Sequence, residues 1–169
     1  SDLILQGRRI WAKVKHELHE QDFGTLEAKS DSSSLSAFHD HLIDMDYRMY
    51  GGESKKMVTD RLSSLLEDII SSSNDGDHVL LVSHGAVMMI LLEMIGLNLE
   101  AYMKNCLEDN KDSIPNAGVT VFAYEDGTWT IVQLPESGET YVPHMEEKTV
   151  HFHYVRHGET LFNQTDRFQ

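Results

Sequence analysis

The chain has 169 residues, of which 40% are hydrophobic and 25% are charged, close to the globular average. This length suits one domain with a real core, and the composition favours neither a disordered nor a fibrous class. The single cysteine, Cys106, cannot form an internal disulfide, which excludes a disulfide scaffold and fits a reducing compartment. The 14 Lys and Arg against 28 Asp and Glu give a net charge of -14, which argues against nucleic acid or an anionic membrane as a partner.

The chain contains no segment that predicts a membrane anchor or a leader. Its longest apolar stretch, residues 79–92, includes Ser83, His84 and Gly85 and is too short to span a bilayer. No basic region followed by an apolar run opens the sequence. We therefore expect a soluble, cytoplasmic protein without membrane contact.

The first half of the chain is expected to contain helices, one strand and an ordered loop. In order, the pattern predicts a helical tail at residues 1–5, a strand at 10–14, an ordered loop at 18–29, a helix at 35–43 and a long helix at 54–72. The apolar positions of the long helix recur at intervals of three and four, which is typical of one buried face.

The second half of the chain alternates strands with a helix. The continuous apolar run at residues 78–82 predicts a strand buried on both faces, and residues 86–95 predict a helix that ends at Gly96. Two β-rich runs at 119–124 and 128–134 are joined by Asp126-Gly127, a strong hairpin signal. A polar connector (135–148), a last strand (149–155) and a polar tail (156–169) complete a pattern that indicates an α/β sheet with helices on its faces.

Two histidine-glycine pairs each follow an apolar strand, and they are the best candidates for a functional site. His84-Gly85 follows one strand, and Arg156 with His157-Gly158 follows the other. Ligands of open α/β sheets bind beyond the carboxyl ends of the strands. Glycine lets the backbone approach a bound group closely, and an arginine fork suits a tetrahedral anion. A single histidine after a strand is more often structural, but two in matching contexts favour a site.

A second group of histidines superficially suggests a metal site. His16 and His19 lie beside Glu17 and Glu20, but the spacing is not the His-Glu-x-x-His pattern of zinc enzymes. A structural or solvated role is the simpler interpretation, and we expect no metal. Glu53 and Ser54 are likewise interpreted as the start of a helix and not as ligands.

Several motifs together resemble the histidine phosphatase superfamily, the phosphoglycerate-mutase-like proteins. The segment Tyr154-Val155-Arg156-His157-Gly158-Glu159-Thr160 resembles the superfamily signature, with Asn163 beyond it. The other similar motifs are Val82-Ser83-His84-Gly85, the acidic motif around Glu20 before Phe23-Gly24, Gly52-Glu53-Ser54 with Arg61, and Asn116-Ala117-Gly118-Val119. The resemblance implies a three-layer α/β/α fold with a mostly parallel central sheet, in a single domain over residues 1–169.

The order of these motifs differs from that of the superfamily. The Arg-His-Gly strand opens the family's chain but closes this one, so the resemblance implies a circular permutation. Residues 1–144 would be the family's middle and C-terminal part, and residues 145–169 its N-terminal strand and catalytic loop. The family has a further segment with a second phosphate-binding arginine, and this segment is unaccounted for in the present chain. The arginine also stays unmatched in the alternative alignment of Ser1-Asp2-Leu3 with the family's Ser-Asp-Leu-x-Arg motif. Whether this order is natural or engineered is left open.

The resemblance also implies roles for individual residues. His157 would be the nucleophile that forms a phosphohistidine, and Glu20 would protonate the leaving alkoxide and later activate water. Arg156 and His84 would neutralise phosphate charge. Three further phosphate-binding residues are expected: Gly85, Gly158 and Asn163. No metal and no cofactor is required, because fixed cations supply the positive charge.

The implied function is hydrolysis of a small phosphorylated metabolite, without contact to nucleic acid. The compact chain and Gln21 after Glu20, where mutases of the family carry Arg, favour a phosphatase. The alternatives are a cofactor-dependent phosphoglycerate mutase, which is an isomerase, and a non-catalytic phosphoester-binding protein. A homodimer is left open. The net charge describes the whole surface and does not forbid a local cationic pocket.

Overall fold

A computed structural model shows an α/β fold, and the structure describes residues 12–27, 29, 36–37, 40–41, 43–138 and 150–156. The helices are α1 (Lys55–Ser72), α2 (Gly85–Met94) and α3 (Leu99–Glu108). The strands are β1 (His78–Ser83), β2 (Gly118–Glu125), β3 (Thr128–Ser137) and β4 (Val150–Arg156). Short 3-10 turns occur at His16–Leu18, Gly24–Leu26 and Arg48–Tyr50.

The four strands within the described residues form one mixed sheet in the order β1-β4-β2-β3. β4 comes last in the chain but lies inside the sheet, parallel to β1 and antiparallel to β2. β2 and β3 are antiparallel. The prediction of a mostly parallel sheet is therefore only partly supported, since one of the three described strand pairings is parallel and two are antiparallel. One physical reason is the two-residue turn between β2 and β3, which is too short for anything but antiparallel pairing.

The main core lies between one face of this sheet and the helices. Phe152 of β4 and Phe122 of β2 are fully buried, and their rings stack with centroids 5.1 Å apart. Leu81 of β1, Leu62 of α1 and Leu91 of α2 belong to the same cluster. The burial of these large side chains stabilises the packing of β4 against the rest of the domain. A helix layer on the opposite face of the sheet stays a prediction.

The long amphipathic helix and the helix after β1 are confirmed. α1 begins after Ser54, whose hydroxyl accepts a hydrogen bond from the Met57 N–H at 3.3 Å, so Ser54 is an N-cap. α2 ends just before Gly96, which has a left-handed φ of 107°. The hairpin is also confirmed. Asp126 (φ 49°) and Gly127 (φ 81°) both have the positive φ that a type I′ turn requires.

Two strand predictions need correction. Leu80 of β1 is 46% exposed while Leu81 is 6% exposed, so β1 is buried on one face only. Among the described strands β1 lies at the sheet edge, and alternate side chains there point away from the core. Of the strand expected at 10–14, the described residues 12–14 form no strand, and Val14 is 86% exposed.

The helix α3 was not predicted. Its signals were available, since Asn98 caps it by accepting from the Ala101 N–H at 3.0 Å and Leu99 is buried. Of the helix expected at 35–43, Ser36, Ala37 and Asp40 are helical, and the remainder is only partly described. The last strand is confirmed over Val150–Arg156. The helical tail at 1–5, most of the connector at 135–148 and the tail beyond Arg156 lie outside the described residues.

Candidate active site

The candidate site lies at the carboxyl ends of β1 and β4. Ser83, the last residue of β1, pairs with Arg156, the last residue of β4, because the two strands are parallel. His84 follows Ser83 as the N-cap residue of α2, and Gly85 is the first residue of that helix. The sheet therefore brings Arg156, His84 and Gly85 to one edge, as expected for a ligand site in an α/β fold.

The carboxylate of Glu20 lies against the N-terminus of α2. It accepts hydrogen bonds from the N–H groups of Val87 at 3.3 Å, of Ala86 at 3.4 Å and of Gln21 at 2.9 Å. Glu20 thus performs the capping role that the side chain of the N-cap residue His84 does not perform for this helix. Backbone N–H donors and the positive end of the helix dipole favour a negatively charged group at this position.

The guanidinium of Arg156 packs against Gly85. A Cβ added to Gly85 would lie 3.4 Å from Nε and 3.6 Å from Cζ of Arg156, which is ordinary van der Waals contact. One terminal nitrogen, Nη1, donates to the carbonyl oxygen of Ile114. The buried Nε has no hydrogen-bond acceptor among the residues that the structure describes. A buried charged donor of this kind requires a partner, and an anionic ligand would supply one.

The loop that carries Glu20 packs with its backbone against the segment before α1. Gly52 lies so close to this loop that a Cβ on it would be 2.2 Å from the Asp22 carbonyl oxygen. Gly24, with a φ of 59°, approaches the carbonyl oxygen of Tyr50 in the same way. The hydroxyl of Ser83 donates to the carbonyl oxygen of Leu18 at 2.6 Å and joins the loop to the end of β1. These contacts set the position of Glu20 relative to the strand ends.

Two further side chains lie near Glu20: Tyr47, which the sequence does not single out, and Gln21, which it singles out only as the residue after Glu20. Tyr47 is buried, and this burial, with the negative charges of Asp44 and Glu20, raises the pKa of its phenol well above the ordinary value. The buried Gln21 amide donates to the carbonyl oxygens of Met45 at 2.7 Å and Glu53 at 3.2 Å. The side chain of Gln21 therefore supports the loop from inside the protein.

The remaining predicted site residues are His157, Gly158 and Asn163, and they lie outside the described residues. The described part of the chain contains no cluster of three His, Cys, Asp or Glu side chains placed to hold a metal ion. It also contains no helix with the length and apolarity to cross a membrane. A cavity of about 360 Å³ between α2 and α3 includes Glu93, Leu97 and Asn98 but none of the predicted site residues.

The fold and the site together define an α/β protein in which an arginine, a glycine and a helix N-terminus meet at one edge of the sheet. The family model of the histidine phosphatase superfamily (branch 1) matches residues 1–137, and the chain therefore belongs to that superfamily. Its members are enzymes of phosphatase and phosphoglycerate-mutase type. Comparison with the curated proteins and with the solved structures found no match.

The family match includes part of the candidate site. Glu20, Glu53, Arg61, His84 and Gly85 lie within residues 1–137, whereas β4 lies beyond them. The resemblance of the chain to the superfamily is thus confirmed. The roles of individual site residues, including those of β4 and the segment after it, stay predictions.

Proposed function

We propose that the protein is a metal-independent phosphomonoester hydrolase that acts through a phosphohistidine on a small phosphorylated metabolite. The observation that carries this proposal is the buried Nε of Arg156, which lies beside the first residue of α2 and lacks an acceptor among the described residues. A phosphate at this edge would receive donors from the guanidinium and from the Gly85 N–H, since the Ala86 and Val87 N–H groups already bind Glu20. These fixed positive groups would supply the charge that a metal ion supplies in other phosphatases.

In the first step His157 attacks phosphorus, a role that follows from its place after Arg156 in the segment that resembles the superfamily signature. A bond forms between a ring nitrogen and phosphorus while the bond to the ester oxygen breaks. Arg156 and His84 stabilise the charge on the non-bridging oxygens, with the amides of Gly85 and Gly158 and the side chain of Asn163 as further donors. Glu20, which takes up a proton from solution as the ester binds, gives that proton to the leaving alkoxide.

In the second step the ionised Glu20 removes a proton from water, and the water oxygen forms a bond to phosphorus. The nitrogen–phosphorus bond breaks, and inorganic phosphate and free His157 are released. The position of Glu20 supports this role, because the N–H groups of Ala86 and Val87 hold its carboxylate at the same edge as Arg156. One carboxyl group therefore serves as acid and then as base.

The position of β4 supports a permuted order of the chain within one domain. β4 is the last strand in sequence but lies inside the sheet, between β1 and β2. A strand that belongs to the family's chain start would fit this inner position, and its Phe152 contributes to the main core. Residues 145–169 are accordingly proposed to be the family's opening strand and catalytic loop, joined after residue 144.

The residue after Glu20 bears on the choice between a phosphatase and a mutase. Gln21, where mutases of the family carry Arg, is buried and bonded to backbone carbonyl groups, so it cannot reach a ligand in this arrangement. The absence of an arginine at this position remains in favour of hydrolysis. The mutase and the non-catalytic phosphoester-binding protein are retained as outcomes of the test.

Labelling of the full chain with ³²P-phosphomonoesters tests the proposal. After an alkaline quench, we expect acid-labile label on His157 and release of phosphate to water. His157→Ala should abolish both, whereas the control His78→Ala, at the opposite end of β1, should retain both. Transfer of label to a phosphoglycerate that depends on a bisphosphate primer would identify a mutase. Ester binding without label or release would identify a non-catalytic protein.

A further inference from the structure

Arg61 of α1 contacts the backbone of the Glu20 loop from inside the protein. Its Nη1 donates to the Glu17 carbonyl oxygen, and its Nη2 lies 3.4 Å from the Glu20 carbonyl oxygen. The side chain of Arg61 is only 14% exposed. A guanidinium can bridge several carbonyl oxygens at fixed angles because its donors are held in one plane. Arg61 therefore restrains the chain on the N-terminal side of the Glu20 carboxylate.

Glu53 restrains the same loop on the other side of Glu20. Its Oε2 accepts from the Asp22 N–H at 3.0 Å, and its backbone N–H donates to the Asp22 carbonyl oxygen at 2.8 Å. The side chain of Glu53 is 13% exposed. The Glu53 carbonyl oxygen also accepts from the buried Gln21 amide. Asp22 is thus held at both its N–H and its C=O by one residue.

The two restraining side chains form an ion pair with each other. Nε of Arg61 lies 3.2 Å from Oε1 of Glu53, and Nη2 lies 3.1 Å from Oε2. This two-point geometry fixes the orientation of both groups, and the opposite charges balance in a mostly buried location. The described contacts of both side chains run to backbone groups of the loop and to each other, so they act through the position of Glu20.

We propose that Arg61 and Glu53 form a positioning pair that holds the Glu20 carboxylate against the N-terminus of α2, ready for proton transfer. This inference rests on the proposed function for its kinetic consequence, but the placement of Glu20 can be measured without turnover. Loss of the pair should release the Glu17–Asp22 backbone and move the carboxylate away from Ala86 and Val87. Neither Arg61 nor Glu53 is proposed to touch the substrate.

Amide NMR of the full chain tests the placement. Arg61→Gln and Glu53→Gln should shift the Ala86 and Val87 amide resonances in the direction that Glu20→Gln shifts them. Arg48→Gln, which removes an exposed guanidinium from the neighbouring segment, should leave both resonances unchanged. If a Gln variant does not fold, Arg61→Lys keeps the charge but loses the fork and should show the same shifts. Unchanged resonances in a folded Arg61 variant would overturn the inference.

Leaving-group dependence tests the consequence for proton transfer. An alkyl phosphate needs a proton on its leaving oxygen, whereas 4-nitrophenyl phosphate does not. Arg61→Gln should therefore lower kcat/KM for the alkyl ester by roughly 10²-fold or more, the contribution of a positioned acid, and lower it far less for the nitrophenyl ester. A merely structural role would lower both values equally and would overturn the inference.

The two measurements separate the inference from the function on which it rests. If the unchanged protein hydrolyses neither ester, the proposed function fails, and the amide shifts alone decide the positioning role. If both esters are hydrolysed but the ratio of their rates is the same in Arg61→Gln, the positioning pair fails and the function stands. In the double variant Arg61→Gln/Glu53→Gln the losses should not add, because both side chains act on one loop.

Discussion

Gly52 lies in direct backbone contact with Asp22, at a distance that no other residue type would permit. A Cβ on Gly52 would be 2.2 Å from the Asp22 carbonyl oxygen and 2.9 Å from the Gly24 nitrogen. Real Cβ atoms do not approach so closely, and a backbone carbonyl cannot swing aside like a flexible side chain. The two loops can lie this close together only because Gly52 has no side chain, and the position of Glu20 depends on the same contact.

Replacement of Gly52 by Ala should separate the two loops. We expect a loss of about 3 kcal/mol in the free energy of unfolding, the upper part of the usual range for single substitutions. Gly51→Ala is the matched control, since Gly51 has no neighbouring atom within 4 Å and only its left-handed φ of 82° opposes a side chain. That strain alone costs about 1–2 kcal/mol. Urea unfolding of both variants checks this, and equal losses would contradict the contact.

Glu20→Gln should reduce the stability of the fold modestly while preserving its shape. The amide keeps one acceptor for the N-terminus of α2 but loses the negative charge and turns an NH₂ group toward backbone N–H donors. The expected loss is about 1 kcal/mol, typical of a charge at a helix N-terminus. Thermal unfolding of Glu20→Gln beside Glu17→Gln, which lacks such a contact, measures the difference. An unchanged or higher stability would contradict the capping role.

The Asp46–Arg48 pair makes a prediction about pH. Hydrogen bonds from the Arg48 side chain, and then from its backbone, lower the pKa of the Asp46 carboxyl from 3.8 to about 2. A carboxyl whose pKa is lowered on folding stabilises the native state above its unfolded pKa. That contribution is therefore complete above pH 3.8 and is lost as the pH falls through about 2. NMR titration should find the low value in the native protein and a higher pKa in Arg48→Gln, still below 3.8 because the backbone N–H of residue 48 remains.

Phe152→Ala should destabilise the protein strongly, because β4 lies inside the sheet. Phe152 is fully buried and stacks on Phe122, so we expect a loss of about 3–5 kcal/mol, as for other buried aromatic residues. Leu80→Ala on the neighbouring strand is the control. Leu80 is 46% exposed and should lose less than about 1 kcal/mol. Similar losses for the two variants would contradict the inner position of β4.

The elements that were predicted well are those with a strong local signal. Ser54 followed by a run of apolar residues at helical spacing predicted α1, and Asp126-Gly127 predicted the hairpin, because capping and turn geometry depend on neighbouring residues. The motif with Glu20 and the motif with His84 also identified the superfamily correctly. The local sequence pattern gave a wrong prediction at two places. Residues 12–14 form no strand, and β1 is buried on one face and not on both. Both depend on which strands lie alongside, and that is not a local property.

The sequence by itself determined the α/β class, the superfamily and the residue types that could bind and transfer a phosphoryl group. Only the tertiary structure decided that the sheet is mixed and that β4 lies inside it. It also decided that the Glu20 carboxylate caps α2 and that Arg61 and Glu53 hold its loop, across 41 and 31 residues of chain. The physical reason is that capping and turn signals depend only on residues within about one helical turn of each other, so they can be read from the sequence. Strand order, backbone contact and buried ion pairs arise only when distant segments share one core.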